Sequence, residues 1–163
     1  VERVRLGALH EGIARERSRA DEDTSVVFAA EPWKHIHTRF GGWIDGVTSA
    51  AVISSLVAAA GDVATLREPV TERPYRKVSV DCPDARKENA MARIEAELPR
   101  AFPDADVNTD YGVRIDRPDG SWVLVRPSGT EPYVRVYAES DDVDVLLEKA
   151  VAVVEEAVEA SGQ

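Results

Sequence analysis

Residues 122–139 read WVLVRPSGTEPYVRVYAE, and this stretch decides the fold of the second half of the chain. It opens with an apolar run at 122–125 and closes with an alternating run at 134–139. Apolar runs and period-two alternation are typical of strands, and Gly and Pro between such runs are typical of turns. We therefore predict two strands, at 122–126 and 133–139, joined by a loop.

The loop between these strands has a composition suited to an anion. Arg126 carries a planar, permanently charged guanidinium that matches phosphate or carboxylate. Ser128 and Thr130 contribute hydroxyl groups, and Gly129 can adopt backbone angles that other residues avoid and lets the chain approach a ligand closely. Backbone N–H groups around such a glycine can form an anion-binding nest. The alternative is an ordinary Pro/Gly loop in which Arg126 pairs with Glu131.

Arg135 lies on the strand that leaves the loop, on the face opposite Val134, Val136 and Ala138. Two roles are open to it. It adds positive charge beside a bound phosphate, or it pairs across the sheet with an acidic side chain. The sequence favours neither role over the other.

The two strands belong to a predicted α+β domain at residues 75–163. Six predicted elements give the order β-α-β-β-β-α: strands at 75–82, 112–116, 122–126 and 133–139, and helices at about 84–98 and 142–160. Pro99 is expected to stop the first of these helices. This order predicts an antiparallel sheet with both helices packed on one face.

Residues 1–68 are predicted to be part of an α/β unit, followed by a linker at 69–74. The predicted elements are a helix at about 11–19, a buried strand at 25–30, a loop at 31–37 and a helix at about 46–60. Asp45 is a good N-cap for the last helix, and Gly61 ends it. One strand–loop–helix unit cannot build a parallel sheet, so we expect the rest of that domain to lie upstream.

The charge balance narrows the classes of partner. The chain carries 30 acidic and 20 basic residues, a net charge of −10, which argues against a nucleic-acid partner because that would require a basic face. No apolar run approaches the ~20 residues of a membrane span. Cys82 is the only cysteine, so we expect no internal disulfide and a reducing, cytoplasmic location. The acid-rich surface indicates a halophilic source, or simply an acidic soluble protein.

The string from Arg126 to Pro132, with its flanks, closely resembles the phosphate-binding loop of the α-D-phosphohexomutases. That family includes phosphoglucomutases, phosphomannomutases and phosphoglucosamine mutases. Its members have four domains, and the last is a small α+β unit similar to TATA-binding-protein folds. The resemblance implies that residues 75–163 are the fourth domain and residues 1–68 the end of the third. We expect the chain, which starts at Val1 rather than at methionine, to be a fragment.

A second motif resembles the family's sugar-recognition loop, Gly-Glu-x-Ser-Gly-His. Glu31 and His35 stand at the family's spacing, whereas Trp33 and Lys34 replace the Ser and the second Gly. The resemblance implies that Glu31 and His35 contact sugar hydroxyls. Trp33 could stack on the sugar, and Lys34 could assist phosphate binding. The alternative is a solvated loop in which Glu31 pairs with Lys34 or Arg39.

The spacing of His35 and His37 is also compatible with a metal site, since alternate residues lie on the same face of a strand. A zinc site generally needs three or four ligands. The only further His or Cys residues are His10 and Cys82, both remote in sequence. We therefore expect no metal to be bound by residues of this chain.

In the family, a phosphoserine in the first domain and a Mg²⁺ held by the second convert hexose 1-phosphate into hexose 6-phosphate through a bisphosphate. Neither loop occurs in this sequence. The resemblance implies that Arg126, Ser128, Gly129, Thr130 and Arg135 hold the phosphate that is not transferred. The chain alone is then inactive and has no catalytic residue, and its partners are a phosphorylated hexose and the upstream domains. The alternative is a stand-alone anion-binding or protein-interaction module.

Overall fold

The computed structural model describes residues 2–5, 7–21 and 25–162. The chain divides into two compact units, Val1–Thr71 and Glu72–Gln163. Each unit has a hydrophobic cluster of its own. The cluster of the first unit is small, and that of the second joins strands of one sheet to two helices.

The described residues of the first unit form three helices and a two-stranded antiparallel sheet. The elements are α1 (Leu9–Arg19), β1 (Ala29–Glu31), β2 (Lys34–Ile36), α2 (Gly46–Ala60) and α3 (Val63–Arg67). Leu9 and Ile13 of α1 pack with Ile36 of β2, which is fully buried. Val4, Val26 and Ala29 lie against this small core.

α2 has the bounds that its caps predict. The Asp45 carboxylate accepts a hydrogen bond from the Thr48 backbone N–H at 2.8 Å, and Gly61 ends the helix with φ of +100°. Helices that are apolar on all sides are normally buried. Here Val47 is 83% exposed and Ile53 is 50% exposed, so the described residues leave much of this apolar helix in contact with solvent.

The predicted buried strand at residues 25–30 is wrong. Only its last two residues belong to β1, and Val27 is 71% exposed. The predicted loop at 31–37 is also wrong, because Glu31 and Lys34 pair across a β-hairpin. An apolar run indicates burial only where a neighbouring element covers it, and the described residues supply no such cover at Val27.

The second unit contains a five-stranded antiparallel sheet and two long helices among its described residues. The elements are β3 (Tyr75–Asp81), α4 (Asp84–Ala101), β4 (Asp106–Asn108), β5 (Val113–Asp116), β6 (Trp122–Pro127), β7 (Tyr133–Glu139) and α5 (Val143–Ala160). The strand order is β3-β7-β6-β5-β4. The last strand in sequence, β7, therefore lies between the first, β3, and the fourth, β6.

Alternation along the strands separates a covered face of this sheet from an open one. The fully buried residues Val123, Val125, Val134 and Val136 pack against Ile94 and Leu98 of α4 and Ala150 and Val154 of α5. The predicted α+β class, with helices on one face, is confirmed. The other side, which we call the open face, carries the intervening residues of β6 and β7: Trp122, Leu124, Arg126, Tyr133, Arg135 and Tyr137.

Two features of this unit differ from the sequence prediction. β4 was not predicted, since its three residues are all exposed and it joins the sheet through backbone pairing with β5. Pro99 does not stop α4, which continues to Ala101. Leu98 is fully buried and Phe102 is 7% exposed, and burying both favours a further turn in which the Phe102 N–H binds the Pro99 carbonyl at 3.0 Å.

Candidate functional site

The predicted loop between the two central strands is confirmed. Residues 128–132 connect β6 to β7, and we call them the β6–β7 loop. The Ser128 N–H donates to the Tyr133 carbonyl at 3.0 Å, which closes the loop. The Cys82 N–H donates to the Pro132 carbonyl at 2.8 Å and ties the loop to the end of β3.

Arg126 and Arg135 face each other at the base of this loop. They are directly opposite in the β6–β7 register, which places their Cβ atoms about 5 Å apart on the open face. The Arg126 guanidinium donates to the Tyr137 hydroxyl at 2.9 Å and lies over the Tyr137 ring, 5.3 Å from its centre. Like charges directly opposite each other destabilise a sheet, so an anion between them is favourable.

Of these two arginines, Arg135 forms the ion pair with Glu131. Its Nη2 donates to Glu131 Oε2 at 2.7 Å and to the Tyr133 hydroxyl at 3.2 Å. The Tyr133 hydroxyl also binds Glu131, and this hydroxyl, followed by Arg135, holds the pKa of Glu131 below its usual value. The alternative that pairs Arg126 with Glu131 is therefore replaced by an Arg135–Glu131 pair.

The loop also has polar groups without partners. Ser128 is 4% exposed, and its hydroxyl and the Arg135 Nε are buried without a hydrogen-bond partner. The N–H groups of Gly129, Thr130 and Glu131 donate to no acceptor among the described residues. Three consecutive free N–H groups beside two guanidiniums are the components of an anion-binding nest.

Of the two roles that the sequence suggests for Gly129, the structure supports only the second, space beside the backbone. Its φ is not positive, so the backbone angle does not require glycine. A Cβ built at Gly129 meets no atom within 4 Å. The glycine therefore leaves open space beside the free N–H groups, which is the close approach to a ligand that the sequence predicts.

Gly112, just before β5, is a residue whose importance the sequence reasoning missed. Its φ is +107°, and a Cβ there would lie 2.4 Å from the Val125 carbonyl and 2.8 Å from the Arg126 Cβ. Only glycine fits such a contact without strain. A glycine at the edge of a predicted strand is a signal of close backbone approach, but it does not tell which residue is approached.

Lys87 of α4 is the second residue that was missed. Its ammonium donates to the Ser128 carbonyl at 2.7 Å and to the Glu131 carbonyl at 2.5 Å, and it pairs with Asp84 at 2.6 Å. No sequence signal pointed to this contact, because a lysine in the first turn of a helix usually lies in solvent.

In the first unit, Glu31 is engaged by nearby groups. Its carboxylate accepts a hydrogen bond from the Gly7 N–H at 2.7 Å and pairs with the Lys34 ammonium at 2.5 Å. Lys34, followed by the Gly7 N–H, holds the pKa of Glu31 below its usual value. Of the two pairings considered for a solvated loop, the structure has the one with Lys34. The Glu31 side chain is nevertheless only 7% exposed.

The remaining residues of this motif lie around the same hairpin. Trp33 occupies its turn with φ of +69° and is 96% exposed. His35 Nδ1 and His37 Nε2 both bind the Ser49 hydroxyl, at 3.1 and 2.9 Å. That hydroxyl also donates to the Asp45 carbonyl at 2.9 Å, so both imidazoles are donors to one oxygen when Ser49 donates there.

The described part of the chain contains neither a metal-ligand cluster nor a membrane-spanning helix. No group of three or more His, Cys, Asp or Glu side chains is close enough to hold a metal ion there. No helix in residues 2–5, 7–21 and 25–162 is both long and apolar enough to span a bilayer.

Known proteins resemble this chain in sequence and in fold. Residues 78–156 match the family model of the phosphoglucomutase/phosphomannomutase C-terminal domain. A phosphopentomutase of Thermococcus kodakarensis is 38% identical over 142 residues, covering 86% of this chain and 30% of that protein. A probable phosphoglucosamine mutase of Methanothermobacter thermautotrophicus is 43% identical over 145 residues, covering 85% of this chain and 30% of that protein.

A crystal structure of a phosphoglucomutase/phosphomannomutase family protein from Burkholderia thailandensis shares the fold. Its TM-score is 0.67 at 21% identity, and the match covers 93% of this chain and 31% of that one. The chain thus spans less than a third of the length of these relatives.

Proposed function

Because residues 78–156 match the family model of the phosphoglucomutase/phosphomannomutase C-terminal domain, we propose that the chain is the substrate-binding C-terminal portion of a phosphohexomutase. The parent enzyme would interconvert hexose 1-phosphate and hexose 6-phosphate through a bisphosphate intermediate. The β6–β7 loop would hold the phosphate that is not being transferred, and the Glu31–His35 hairpin would contact the sugar. A phosphorylated hexose and upstream domains of the same enzyme are the partners.

The observation that carries this proposal is the set of unsatisfied donors at the β6–β7 loop. The N–H groups of residues 129–131, the Ser128 hydroxyl and the Arg135 Nε lack acceptors among the described residues. The Ser128 hydroxyl and the Arg135 Nε are buried, and buried polar groups in native proteins are normally paired, whereas residues 129–131 lie at the exposed surface. A phosphate supplies acceptor oxygens and negative charge together, and charge-assisted hydrogen bonds of this kind are about twice as strong as neutral ones.

A titration of inorganic phosphate into the ¹⁵N-labelled chain tests the proposal, with sodium chloride at matched ionic strength as the control. Phosphate is expected to shift the amide signals of Gly129, Thr130 and Glu131 in a saturable manner, and chloride is not. Glucose 1-phosphate should shift the same amides. Saturable shifts elsewhere, with unchanged signals at residues 128–135, would show that the anion site is not at this loop.

Gly129→Ala should separate phosphate binding from folding. The new methyl group enters open space, so the free energy of unfolding should change by less than about 0.5 kcal/mol. The same methyl group stands beside the free N–H groups, and loss of one charge-assisted hydrogen bond would weaken phosphate binding about tenfold. Thermal melts and the amide titration measure the two effects.

Gly42→Ala is the matched control for this substitution, because a Cβ at Gly42 also meets nothing within 4 Å. It should leave both stability and phosphate binding unchanged. If Gly129→Ala binds phosphate as tightly as the wild type, the anion does not lie against the Gly129 backbone.

We propose that Glu31, Trp33, Lys34 and His35 contact the sugar. Trp33 supports this role because a fully exposed tryptophan in a positive-φ turn contributes little to the fold and presents a free aromatic face. Glu31 keeps unused lone pairs beside its contacts with Lys34 and Gly7, and these can accept sugar hydroxyls. The relatives' names include a phosphopentomutase and a phosphoglucosamine mutase, so pentose and amino-sugar phosphates belong among the candidate substrates.

Trp33→Ala is expected to weaken binding of glucose 1-phosphate by about two- to tenfold, the size of one aromatic stacking contact. Binding of inorganic phosphate should be unchanged, since the β6–β7 loop is intact. Thermal unfolding should also be unchanged, because Trp33 is 96% exposed. Trp43→Ala in the same unit is the control; equal losses in both variants would remove the specific role of Trp33.

We propose that the chain alone has no mutase activity. Family phosphoryl transfer relies on a phosphoserine and on a Mg²⁺ that neutralises the transferring charge. The described residues contain no cluster of three or more acidic, His or Cys side chains. Other segments of the parent enzyme would supply the serine and the metal ligands. The exposed apolar surface of α2 supports a larger assembly, because such a helix is normally covered.

A further inference from the structure

Each N–H donor of the Lys87 ammonium has an acceptor, and two of the three acceptors are backbone carbonyls of the β6–β7 loop. Its ammonium has three N–H donors, and three acceptors surround it: the Ser128 carbonyl at 2.7 Å, the Glu131 carbonyl at 2.5 Å and the Asp84 carboxylate at 2.6 Å. The Lys87 side chain is 13% exposed, whereas that of Asp84 is 80% exposed. The lysine is thus committed to the β6–β7 loop rather than to solvent.

The contact with Ser128 fixes the direction of a peptide group. In a trans peptide the C=O and the following N–H point in opposite directions, because the unit is planar. The Ser128 carbonyl points at Lys87, so the Gly129 N–H points away from Lys87. This N–H is one of the three that lack an acceptor among the described residues, and it lies on the residue whose Cβ direction is open.

At the other end of the loop, the Glu131 carbonyl accepts hydrogen bonds from Lys87 at 2.5 Å and from the Tyr133 N–H at 2.8 Å. The next residue, Pro132, has no N–H, and its carbonyl is held by the Cys82 N–H at 2.8 Å. Lys87 therefore joins both ends of the free N–H run to the first turn of α4. An arginine would present a flat fork, whereas a compact ammonium can donate to acceptors on three sides.

We propose that Lys87 is a positioning residue that turns the peptide between Ser128 and Gly129 so that the Gly129 N–H points toward the anion. It does so by occupying the loop carbonyls on the opposite side, and it does not itself touch the phosphate. This inference rests on the proposed phosphate role of the loop. It adds a residue of α4 to the groups that determine how tightly the loop binds phosphate.

The test compares Lys87→Met, Lys87→Arg and Lys149→Met with the wild type, using inorganic phosphate as the probe. Lys149→Met is the matched control, because Lys149 is exposed on α5 and lies over the Phe102 ring, 4.7 Å from its centre. Lys87→Met should weaken phosphate binding about three- to tenfold, the value of one or two hydrogen bonds that orient the loop. Lys149→Met should bind as the wild type does.

Two readouts distinguish positioning from a general loss of stability. Lys87→Met should move the Gly129 amide signal before any phosphate is added, while its melting temperature stays close to that of the wild type. Lys87→Arg, which retains charge and donors, should recover part of the affinity and of the Gly129 signal. If Lys87→Met lowers the melting temperature, affinities are compared at a temperature where both proteins are folded.

The outcomes separate this inference from the function on which it rests. A wild type that shows no phosphate shifts at residues 129–131 overturns the proposed function and this inference with it. A wild type that binds phosphate, together with a Lys87→Met variant that binds equally well, overturns this inference alone. A weaker Lys87→Met with an unmoved Gly129 amide also overturns it, because the loss would then be one of charge.

Discussion

Arg126→Ala is expected to weaken phosphate binding by about ten- to a hundredfold, the largest loss among single substitutions at the loop. Hydrogen bonds to charged groups contribute about 1.5–3 kcal/mol, and each 1.4 kcal/mol is a tenfold change. Arg126 is free for this role because its contacts are with the Tyr137 ring and hydroxyl, and the neighbouring carboxylate of Glu131 binds Arg135. Titration of inorganic phosphate, followed by amide shifts at residues 128–131, measures the loss.

Arg100→Ala is the matched control for Arg126→Ala. Arg100 is exposed on α4 and pairs with Glu97 at 2.7 Å, so the substitution removes the same charge from the same unit at a helical position. It should leave the affinity within about twofold of the wild type, since exposed charges are largely screened by salt. Equal affinity in wild type and Arg126→Ala would show that Arg126 does not bind the phosphate.

Gly112→Ala is expected to lower the free energy of unfolding by about 2–6 kcal/mol. A non-glycine residue at positive φ costs about 1–3 kcal/mol, and an overpacked methyl group adds about 1–3 kcal/mol. The contact is with backbone, since the new Cβ would lie 2.4 Å from the Val125 carbonyl oxygen. Chemical denaturation of the wild type and the variant measures the difference.

Gly112→Ala should also change the geometry of the anion site at Arg126. A Cβ at Gly112 would lie 2.8 Å from the Arg126 Cβ, so relief of the contact displaces the base of the Arg126 side chain. Phosphate binding is therefore expected to weaken together with stability. Gly46→Ala is the control, because its Cβ meets nothing within 4 Å at the start of α2. A Gly112→Ala variant as stable as the wild type would contradict the close approach.

Elements with local signals were predicted well from the sequence. α2 has the predicted bounds because Asp45 and Gly61 act within one turn of the helix that they delimit. The strands around the β6–β7 loop follow the alternation of valines with polar residues, which is set by burial on a single face. α5 likewise follows from the apolar stripe that it packs on the sheet.

Elements that depend on a neighbour were predicted poorly. β4 forms because its backbone pairs with the edge of β5, and all three of its residues are exposed. The hairpin of β1 and β2 depends on a turn at Trp33, a residue type that rarely adopts positive φ. α4 continues beyond Pro99 because burial of Leu98 and Phe102 in the core stabilises the additional turn.

The sequence by itself determined the α+β class of the second unit, the strand–loop–strand motif and the chemical types gathered at the loop. The tertiary structure decided how those groups are used. Strand register placed Arg126 opposite Arg135, and the side chain of Arg135 rather than that of Arg126 pairs with Glu131. Chain packing brought Lys87 to the Ser128 carbonyl across 41 positions. Local patterns report the backbone period and the exposed face, whereas these contacts depend on which distant segments the hydrophobic core brings together.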